Sequence, residues 1–498
     1  MRDIQAQSAA SEPAPSAWLN RVRAVPDLVW TLAIILIGFG LRVYRLGDQS
    51  LWFDEAFTWW TSAVVPPQDF VPFLLPFGAY TPAYYLITRG VTAIGSSEYL
   101  LRFPSVIFGV LAIPLIERVA RRMGGQTVAR VAALLLAVNP FHIWYSQDAR
   151  MYTLAGLGVL AAMDGFMHAL MGRGWRRMIL AASLAYVTHY VTLFLGYSQL
   201  LWWLPRFRRQ IQPFRRWFAS NFIAALPLIA WELLYLLQAQ RGLAIGWIPH
   251  STLAAPLLTF WNFTSADVDT WTLPLIGIAL VVAVTFLRGA ALPGRWRGLL
   301  LAWLLVPPIS TALLSLRVPS YMDRYLAFCL YAWLIVLATG ITQWRPRWLG
   351  WLGGGLILGL MLVNTARLHT DPLLAKEDWR GAAAILNVQV QPGERIGVQD
   401  TEGVVALRYY YRGTAQLQPI EMTRQPDRLD QLTAGIDRVW LVYRSNLESN
   451  HRLTKSQPFD VFTQTDEATQ RWLAANCRAP LAKYQLTAIT VLACPGRE

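Results

Sequence analysis

Long apolar runs, each about as long as a membrane span, recur through the first 370 residues of this 498-residue chain. A helix needs roughly 20 mostly apolar residues to cross a bilayer. The first run covers residues 28–46, and further runs are centred on Phe108, Leu135, Leu160, Ala182, Gly196, Ala225, Ile278, Leu304, Trp333 and Leu358. In lipid the backbone must satisfy its own hydrogen bonds, as it does in a helix. We therefore predict a polytopic α-helical membrane protein with about 11 transmembrane helices.

The arginines predict how these helices are oriented. Only 15% of the residues are charged, yet the net charge is +14. Residues 371–498 hold 15 basic and 15 acidic side chains, so the whole excess lies upstream. Loops rich in Arg and Lys stay in the cytoplasm, and basic clusters occupy alternate loops: 118–130, 173–177, 206–216, 288–297 and 345–347. We expect a multi-pass protein of the plasma (inner) membrane with a cytoplasmic N-terminus and an extracytoplasmic tail, and no nucleic-acid partner.

Three segments follow from this arrangement. Residues 1–26 are rich in Ala, Ser and Pro and are predicted to be a disordered cytoplasmic N-terminus. Residues 27–369 carry the spans, and the outer loop 47–102 contains the apolar stretch TPAYYLITRGVTAIG. Counting that stretch as a span would invert every later basic loop, so we expect a helix lying along the outer surface.

Residues 370–498 are predicted to form a separate extracytoplasmic α/β domain. KEDWRGAAAILNVQV has helical periodicity, whereas ERIGVQD, DRVWLVYR and LTAITVLAC are typical of strands. Cys477 and Cys494 both fall in this domain. If the compartment is oxidising they are candidates for a disulfide, and two free, buried thiols are the alternative.

Acidic and basic side chains gather at the predicted outer ends of the spans. Asp54 and Glu55 lie in SLWFDEAFTWW, Asp148 and Arg150 in NPFHIWYSQDARMY, and Arg324 in SYMDRY. Each alone has an ordinary explanation, since loop acids are solvated and an Arg at a span end commonly anchors to headgroups. Their recurrence on one face favours a shared site. His189, in VTHY, is more often a polar helix-end residue than a ligand.

The sequence lacks the motifs of several energy-driven classes. We find no P-loop, dinucleotide fingerprint, HExxH or clustered Cys/His spacing. Its halves show no internal repeat like those of many secondary transporters. Nothing indicates nucleotide hydrolysis, so the driving energy is expected to come from an activated substrate.

Several of these motifs together resemble one superfamily. LWFDEAFTWW, the following TPAYYLITRG block, NPFHIWYSQDARMYTL, VTHY and DRYLAF are similar to segments of the polyprenol-phosphate-sugar-dependent glycosyltransferases of the GT-C superfamily. These include the dolichyl-phosphate-mannose protein mannosyltransferases of glycosyltransferase family 39 and the bacterial lipid A aminoarabinose transferases. The resemblance covers the membrane region well and the tail loosely, and it implies a GT-C fold.

The resemblance also implies roles for particular residues. Asp54 matches the catalytic carboxylate and Glu55 its neighbour in a catalytic acidic pair, while Arg150 and Arg324 match positions that bind the donor phosphate. Supporting positions are Asp148, Tyr152, His189 and Tyr325. Aminoarabinose transferases have been associated with a bound metal, so a divalent metal stays open as a cofactor although the sequence shows no clear ligand cluster.

These roles predict a membrane glycosyltransferase. Arginines would stabilise the leaving phosphate, Asp54 would take the proton of the acceptor, and a single carboxylate favours one displacement with inversion. The expected partners are a polyprenyl-phosphate-linked sugar, carrying a hexose or a pentose, and a protein, lipid or polysaccharide acceptor. Two alternatives remain: a lipid-linked-sugar flippase or transporter without covalent chemistry, and a non-catalytic membrane scaffold whose tail binds a partner.

Overall fold

The computed structural model describes residues 17–77, 80–238, 248, 251–266, 273–291, 294–420, 428–444 and 471–496. Residues 1–16 of the predicted disordered N-terminus lie outside these ranges. The first helix begins at Ala17, before the predicted boundary at residue 27.

Helices dominate the chain up to Thr370. They are α1 (Ala17–Val43), α2 (Phe53–Trp59), α3 (Phe70–Leu74), α4 (Pro82–Thr92), α5 (Glu98–Ala137), α6 (Pro140–Ser146), α7 (Tyr152–Ala169), α8 (Trp175–Thr188), α9 (Phe194–Trp203), α10 (Ile211–Gln238), α11 (Ala255–Ser265), α12 (Leu273–Ala291), α13 (Arg297–Ser315), α14 (Leu330–Gln343) and α15 (Arg347–Thr370). A π-helical turn, Trp60–Val64, follows α2, and 3₁₀ turns cover Pro67–Asp69, Leu75–Phe77, Tyr190–Leu193 and Asp323–Cys329.

Among the described residues, 6 helices are long and apolar enough to cross a membrane: α5, α10, α12, α13, α15, and α14 taken together with the 3₁₀ turn before it. All the predicted span centres lie in helices, including the short helices α8 and α9. How many of these helices cross a bilayer stays a prediction.

The 40-residue α5 contains two of the predicted spans. Gly125 interrupts it with φ 85° and ψ −177°. That positive φ lies in a region that glycine adopts without the steric cost of a Cβ. The predicted span centres at Phe108 and Leu135 therefore lie on opposite sides of this break. The break itself lies within the predicted cytoplasmic loop 118–130.

The apolar stretch of the outer loop forms α4, which has 11 residues. This is about half of what a span needs. Tyr84, Tyr85 and Thr88 form its buried face. The helix is thus shorter than a span, and its place along the outer surface stays a prediction.

The tail folds around a five-stranded sheet in the order β2-β1-β3-β5-β4. Its strands are β1 (Arg395–Val398), β2 (Leu417–Pro419), β3 (Arg438–Arg444), β4 (Ala482–Leu486) and β5 (Ile489–Pro495). β1 is parallel to β2 and β3, whereas β5 is antiparallel to β3 and β4. The helices of this part are α16 (Trp379–Gln389), α17 (Thr401–Tyr410) and α18 (Arg428–Thr433).

The predicted helix and the three predicted strands correspond to α16, β1, β3 and β5. The sequence did not predict β2 and β4, the two edge strands. β2 has three residues and β4 is only partly buried, so neither has the apolar run of a central strand. Cys477 and Cys494 form a disulfide, whereas Cys329 is a buried free thiol.

The tail packs directly on the outer loop. Ala56 of α2 is buried in the same apolar cluster as Trp379, Ala406 and Leu407 of the tail. Burying a side chain of this kind removes apolar area from water, which favours the docked arrangement. The helix that carries the acidic pair is thus held partly by the tail.

Candidate active site

The acidic pair lies on the short helix α2, which begins after the extended residue Trp52. Neighbouring residues of an α-helix point about 100° apart. Asp54 and Glu55 therefore enter different surroundings although they are adjacent in sequence. Asp54 lines a cavity, and Glu55 is fully buried among charged groups.

The cavity is small, with a volume of about 20 Å³. Its lining combines one carboxylate, two guanidinium groups, an imidazole and several phenols: Asp54, Tyr80, Arg150, Met151, Tyr152, His189, Tyr190, Arg324 and Tyr325. Six of these residues were predicted from the sequence. The fold brings them together from α2, the segment between α6 and α7, the break between α8 and α9, and the 3₁₀ turn before α14.

Two arginines flank the Asp54 carboxylate. Its Oδ2 atom lies 3.8 Å from Arg150 Nε and 3.7 Å from Arg324 Nη1. Both distances exceed those of good hydrogen bonds, so the attraction is mainly electrostatic. Two cations beside one anion leave the cavity electropositive, which favours an anionic ligand.

Arg150 is fixed by the groups around it. Its Nη1 donates to the Asp54 carbonyl at 3.3 Å and to the Tyr85 hydroxyl at 3.1 Å, and the guanidinium lies 5.2 Å from the centre of the Tyr80 ring. Its buried Nε donates no hydrogen bond to any of the described residues. This N–H lies 3.8 Å from Asp54 Oδ2, too far for a good hydrogen bond, so it is a buried donor beside the carboxylate.

Arg324 is positioned by the residue before it. Asp323 accepts hydrogen bonds from the Thr259 hydroxyl and, at 2.9 Å, from Asn262 Nδ2, both on α11. The Arg324 guanidinium then lies 5.6 Å from the centre of the Trp52 ring. In the DRY motif the acid therefore anchors the turn to α11, and the arginine reaches the cavity.

Aromatic rings form much of the wall. The His189 ring lies 5.0 Å from the Tyr325 ring and 5.3 Å from the Tyr190 ring. Burial, together with the charges of Arg150 and Arg324, lowers the pKa of His189 to about 3. His189 is thus a neutral hydrogen-bonding and stacking group at physiological pH.

Glu55 is enclosed by cations and does not line the cavity. Arg102 holds both carboxylate oxygens at 2.7 Å, Lys376 Nζ lies 3.0 Å away, and the Ala149 N–H donates at 2.9 Å. Burial alone would raise the pKa of Glu55, but Arg102 and Lys376 lower it to about 2. A carboxylate in this state is a poor proton acceptor.

Asp148 is also buried behind the cavity. It accepts from Trp52 Nε1 at 2.8 Å and lies 3.4 Å from Lys376 Nζ, while its Oδ2 has no hydrogen-bond partner in the described part of the chain. Burial raises the pKa of Asp148 to about 6, against the opposing charge of Lys376. Asp148 therefore supports the loop that carries Arg150.

Several members of this site were not predicted from the sequence. Arg102 and Lys376 neutralise the buried carboxylates, and Tyr80 and Tyr190 complete the cavity wall. The aromatic residues have no pattern that separates them from the other tyrosines and tryptophans. Lys376 had one signal, since it is one of only three lysines and opens the predicted tail helix.

A divalent metal does not fit the donors of this cavity. In the described ranges, no three His, Cys, Asp or Glu side chains converge. The one carboxylate in the cavity, Asp54, faces two guanidinium groups, whose charge opposes a bound cation.

Solved structures of GT-C glycosyltransferases share this fold, as the motifs predicted. ArnT from Cupriavidus metallidurans in the apo state superposes with a TM-score of 0.60 at 13% identity, covering 95% of this chain and 98% of that one. ArnT bound to undecaprenyl phosphate gives 0.59 at 14% identity, with 94% and 98% covered. Arabinofuranosyltransferase AftD from Mycobacteria gives 0.52 at 15% identity, covering 94% of this chain and 40% of that one. No protein-family model and no curated protein matches the sequence.

Proposed function

We propose that the protein is a membrane glycosyltransferase that moves a sugar, a hexose or a pentose, from a polyprenyl-phosphate donor to an acceptor on the outer face of the membrane. The observation that carries this proposal is the cavity in which Asp54 faces Arg150 and Arg324 at 3.8 and 3.7 Å. The fold supports it, since a protein of the same fold has been solved with undecaprenyl phosphate bound.

The arginines bind the donor phosphate in this proposal. A sugar on a polyprenyl phosphate is activated because the phosphate leaves as a stable anion, and guanidinium groups stabilise such anions through charge-assisted hydrogen bonds. Asp54 is the anion between the two arginines in this structure. A bound phosphate replaces it as their partner, which weakens their hold on Asp54 and leaves its carboxylate available as a base.

Asp54 then acts as the general base. The acceptor hydroxyl or amine attacks the anomeric carbon, its proton moves to an Asp54 carboxylate oxygen, and the bond between that carbon and the phosphate oxygen breaks. The electron pair leaves with the phosphate, whose charge Arg150 and Arg324 stabilise. Attack from the face opposite the phosphate inverts the anomeric configuration, and Tyr152, His189 and Tyr325 form the wall against which the sugar packs.

Glu55 and Asp148 act as positioning residues in this scheme. Both are buried outside the cavity and are neutralised by Arg102 and Lys376. This changes the role first predicted for Glu55, which was grouped with Asp54 as catalytic. Its ion pairs orient α2 and thereby the Asp54 side chain.

The membrane arrangement is part of the proposal. About eleven spans, a cytoplasmic N-terminus and an extracytoplasmic tail place the cavity at the outer face. The alternation of basic loops supports this orientation. The acceptor is a protein, lipid or polysaccharide outside the cytoplasm.

Replacement of Asp54 tests the assigned base. We expect Asp54→Asn to lower transfer roughly 10²- to 10⁴-fold, because the acceptor loses its proton acceptor. The measurement is transfer from radiolabelled polyprenyl-phosphate arabinose, mannose and aminoarabinose in proteoliposomes, with membrane extract as the source of acceptor. Asp69→Asn, an exposed acid of the same loop, is the matched control and should keep full activity.

Full transfer by Asp54→Asn would remove Asp54 from the mechanism. Movement of an unaltered lipid-linked sugar across the bilayer, with no labelled product, would favour the transporter instead. Thermal unfolding of each variant in detergent separates loss of chemistry from loss of fold.

A further inference from the structure

We propose that Lys376, which lies near the start of the tail, is a positioning residue of the active site. The tail is therefore part of the catalytic machinery. This inference rests on the proposed function. The proposed function does not include this role: a residue outside the membrane region aligns the base Asp54 with the phosphate-binding Arg150.

Lys376 reaches from the tail into the buried charges behind the cavity. Its Nζ lies 3.0 Å from Glu55 Oε1, 3.4 Å from Asp148 Oδ1 and 3.0 Å from the Gln147 carbonyl. Only 5% of its side chain is exposed. A lysine is almost never buried this deeply unless it is paired, so this ammonium has a specific electrostatic task.

The contacts join the two segments that must be aligned for transfer. Glu55 is adjacent to the base Asp54 on α2, and Gln147 and Asp148 precede Arg150 in the loop between α6 and α7. One ammonium therefore clamps the base-bearing helix to the arginine-bearing loop. The backbone N–H of Lys376 also donates to Gln49 Oε1 at 2.9 Å, which ties the clamp to the loop between α1 and α2.

The next residue connects the same point to the tail sheet. Glu377 accepts from Arg444 Nε at 2.9 Å, at the end of β3, and from Trp379 Nε1 at 2.6 Å. Consecutive side chains thus face opposite partners: Lys376 the membrane region and Glu377 the tail. The position of the tail is transmitted to the cavity through this pair.

The buried charges around Lys376 are balanced. Glu55 and Asp148 carry two negative charges, and Arg102 and Lys376 carry two positive ones. Removing Lys376 leaves two buried carboxylates sharing one guanidinium, which is strongly unfavourable. Removing the Asp148 charge at the same time restores the charge balance but not the contact, so the double variant should be no less active than the variant that lacks Lys376 alone.

A double-mutant cycle tests the clamp. We expect Lys376→Met to lower kcat roughly tenfold or more, Asp148→Asn to lower it as well, and the double variant to be no less active than Lys376→Met alone, since two changes that break one contact are not additive. Lys376→Arg keeps the charge and should retain more activity than Lys376→Met. Lys483→Met, which removes an exposed lysine of the same tail, should have no effect.

Transfer and thermal unfolding are measured for the full-length protein in every variant. If Lys376→Met keeps wild-type kcat, or if the losses of Lys376→Met and Asp148→Asn multiply in a folded double variant, the clamp is wrong. Both results require that the wild type transfers sugar and that Asp54→Asn does not. Absence of transfer in the wild type would instead overturn the proposed function.

Discussion

At the scale of single residues, adjacency in sequence does not mean similarity of role. Asp54 and Glu55 are neighbours on α2, yet one faces a cavity and the other is held by Arg102 at 2.7 Å. The difference follows from the rotation between successive helical residues. Charge pairing then makes one carboxylate a candidate base and the other a support.

The protonation of Asp148 predicts how sugar transfer depends on pH. Its pKa of about 6 lies above the usual value for an aspartate, so it takes up a proton as the pH falls through about 6. The neutral form no longer attracts Lys376, and the loop that carries Arg150 loosens. We expect transfer to fall below about pH 6 and to recover on the alkaline side.

The variant Asp148→Asn isolates this titration. It mimics the protonated form at every pH, so its activity should be low and should lack the step near pH 6. The charged and titratable groups that face Asp148 are Lys376, Glu55, Asp54, Arg102, Tyr84 and Tyr145. A pH profile of kcat for wild type and variant is the measurement, and an unchanged step in the variant would assign the titration to another group.

At the scale of elements, two apolar helices pack backbone to backbone. A Cβ added to Gly289 of α12 would collide with the Val336 carbonyl oxygen of α14, and one added to Gly340 of α14 would collide with the Thr285 carbonyl oxygen of α12. Small residues allow such close approach between helices in a membrane, where packing rather than water drives association. This contact supports α14, which continues from the turn that carries Arg324.

Two substitutions in one helix test this contact. Gly289→Ala should destabilise the fold by about 1–3 kcal/mol, because the methyl group forces α12 and α14 apart. Gly277→Ala in the same helix meets open space and should be neutral or slightly stabilising, since alanine favours the helix. Thermal unfolding in detergent compares the two, and equal midpoints would contradict the close packing.

At the scale of the whole molecule, the tail has no net charge but is docked through charged pairs. The tail carries no net charge, and the apolar region carries the whole excess of +14. Its contacts with the outer loop nevertheless include charged pairs, such as Arg380 with Glu98 at 2.7 Å, besides Lys376. The tail is thus held by specific pairs rather than by a general field.

Reporter fusions test the proposed orientation. Alkaline phosphatase fused after Glu498 should be active in cells, because it folds only outside the cytoplasm, whereas a fluorescent protein fused there and exported unfolded should be dark. The same reporters fused within the loop 206–216 should give the reverse pattern, since that loop is predicted to be cytoplasmic. An inactive phosphatase at the C-terminus would place the tail on the other side.

Much of the fold could be predicted from the sequence. Apolar runs predict helices because lipid leaves the backbone no other partner, and every predicted span centre lies in a helix. The central strands β1, β3 and β5 were predicted because their residues are apolar and β-branched. The edge strands β2 and β4 were not, because exposed edges need no such pattern.

The sequence by itself determined that the chain is apolar and helical, where its basic loops lie, and which motifs carry acids beside arginines. Only the tertiary structure decided which partners these residues have. Asp54 lines the cavity, Glu55 pairs with Arg102, and Lys376 pairs with both Glu55 and Asp148. The reason is physical. A periodic pattern reports which face of an element is apolar, but a buried ion pair depends on which distant segments meet, and Glu55 and Lys376 meet only through folding.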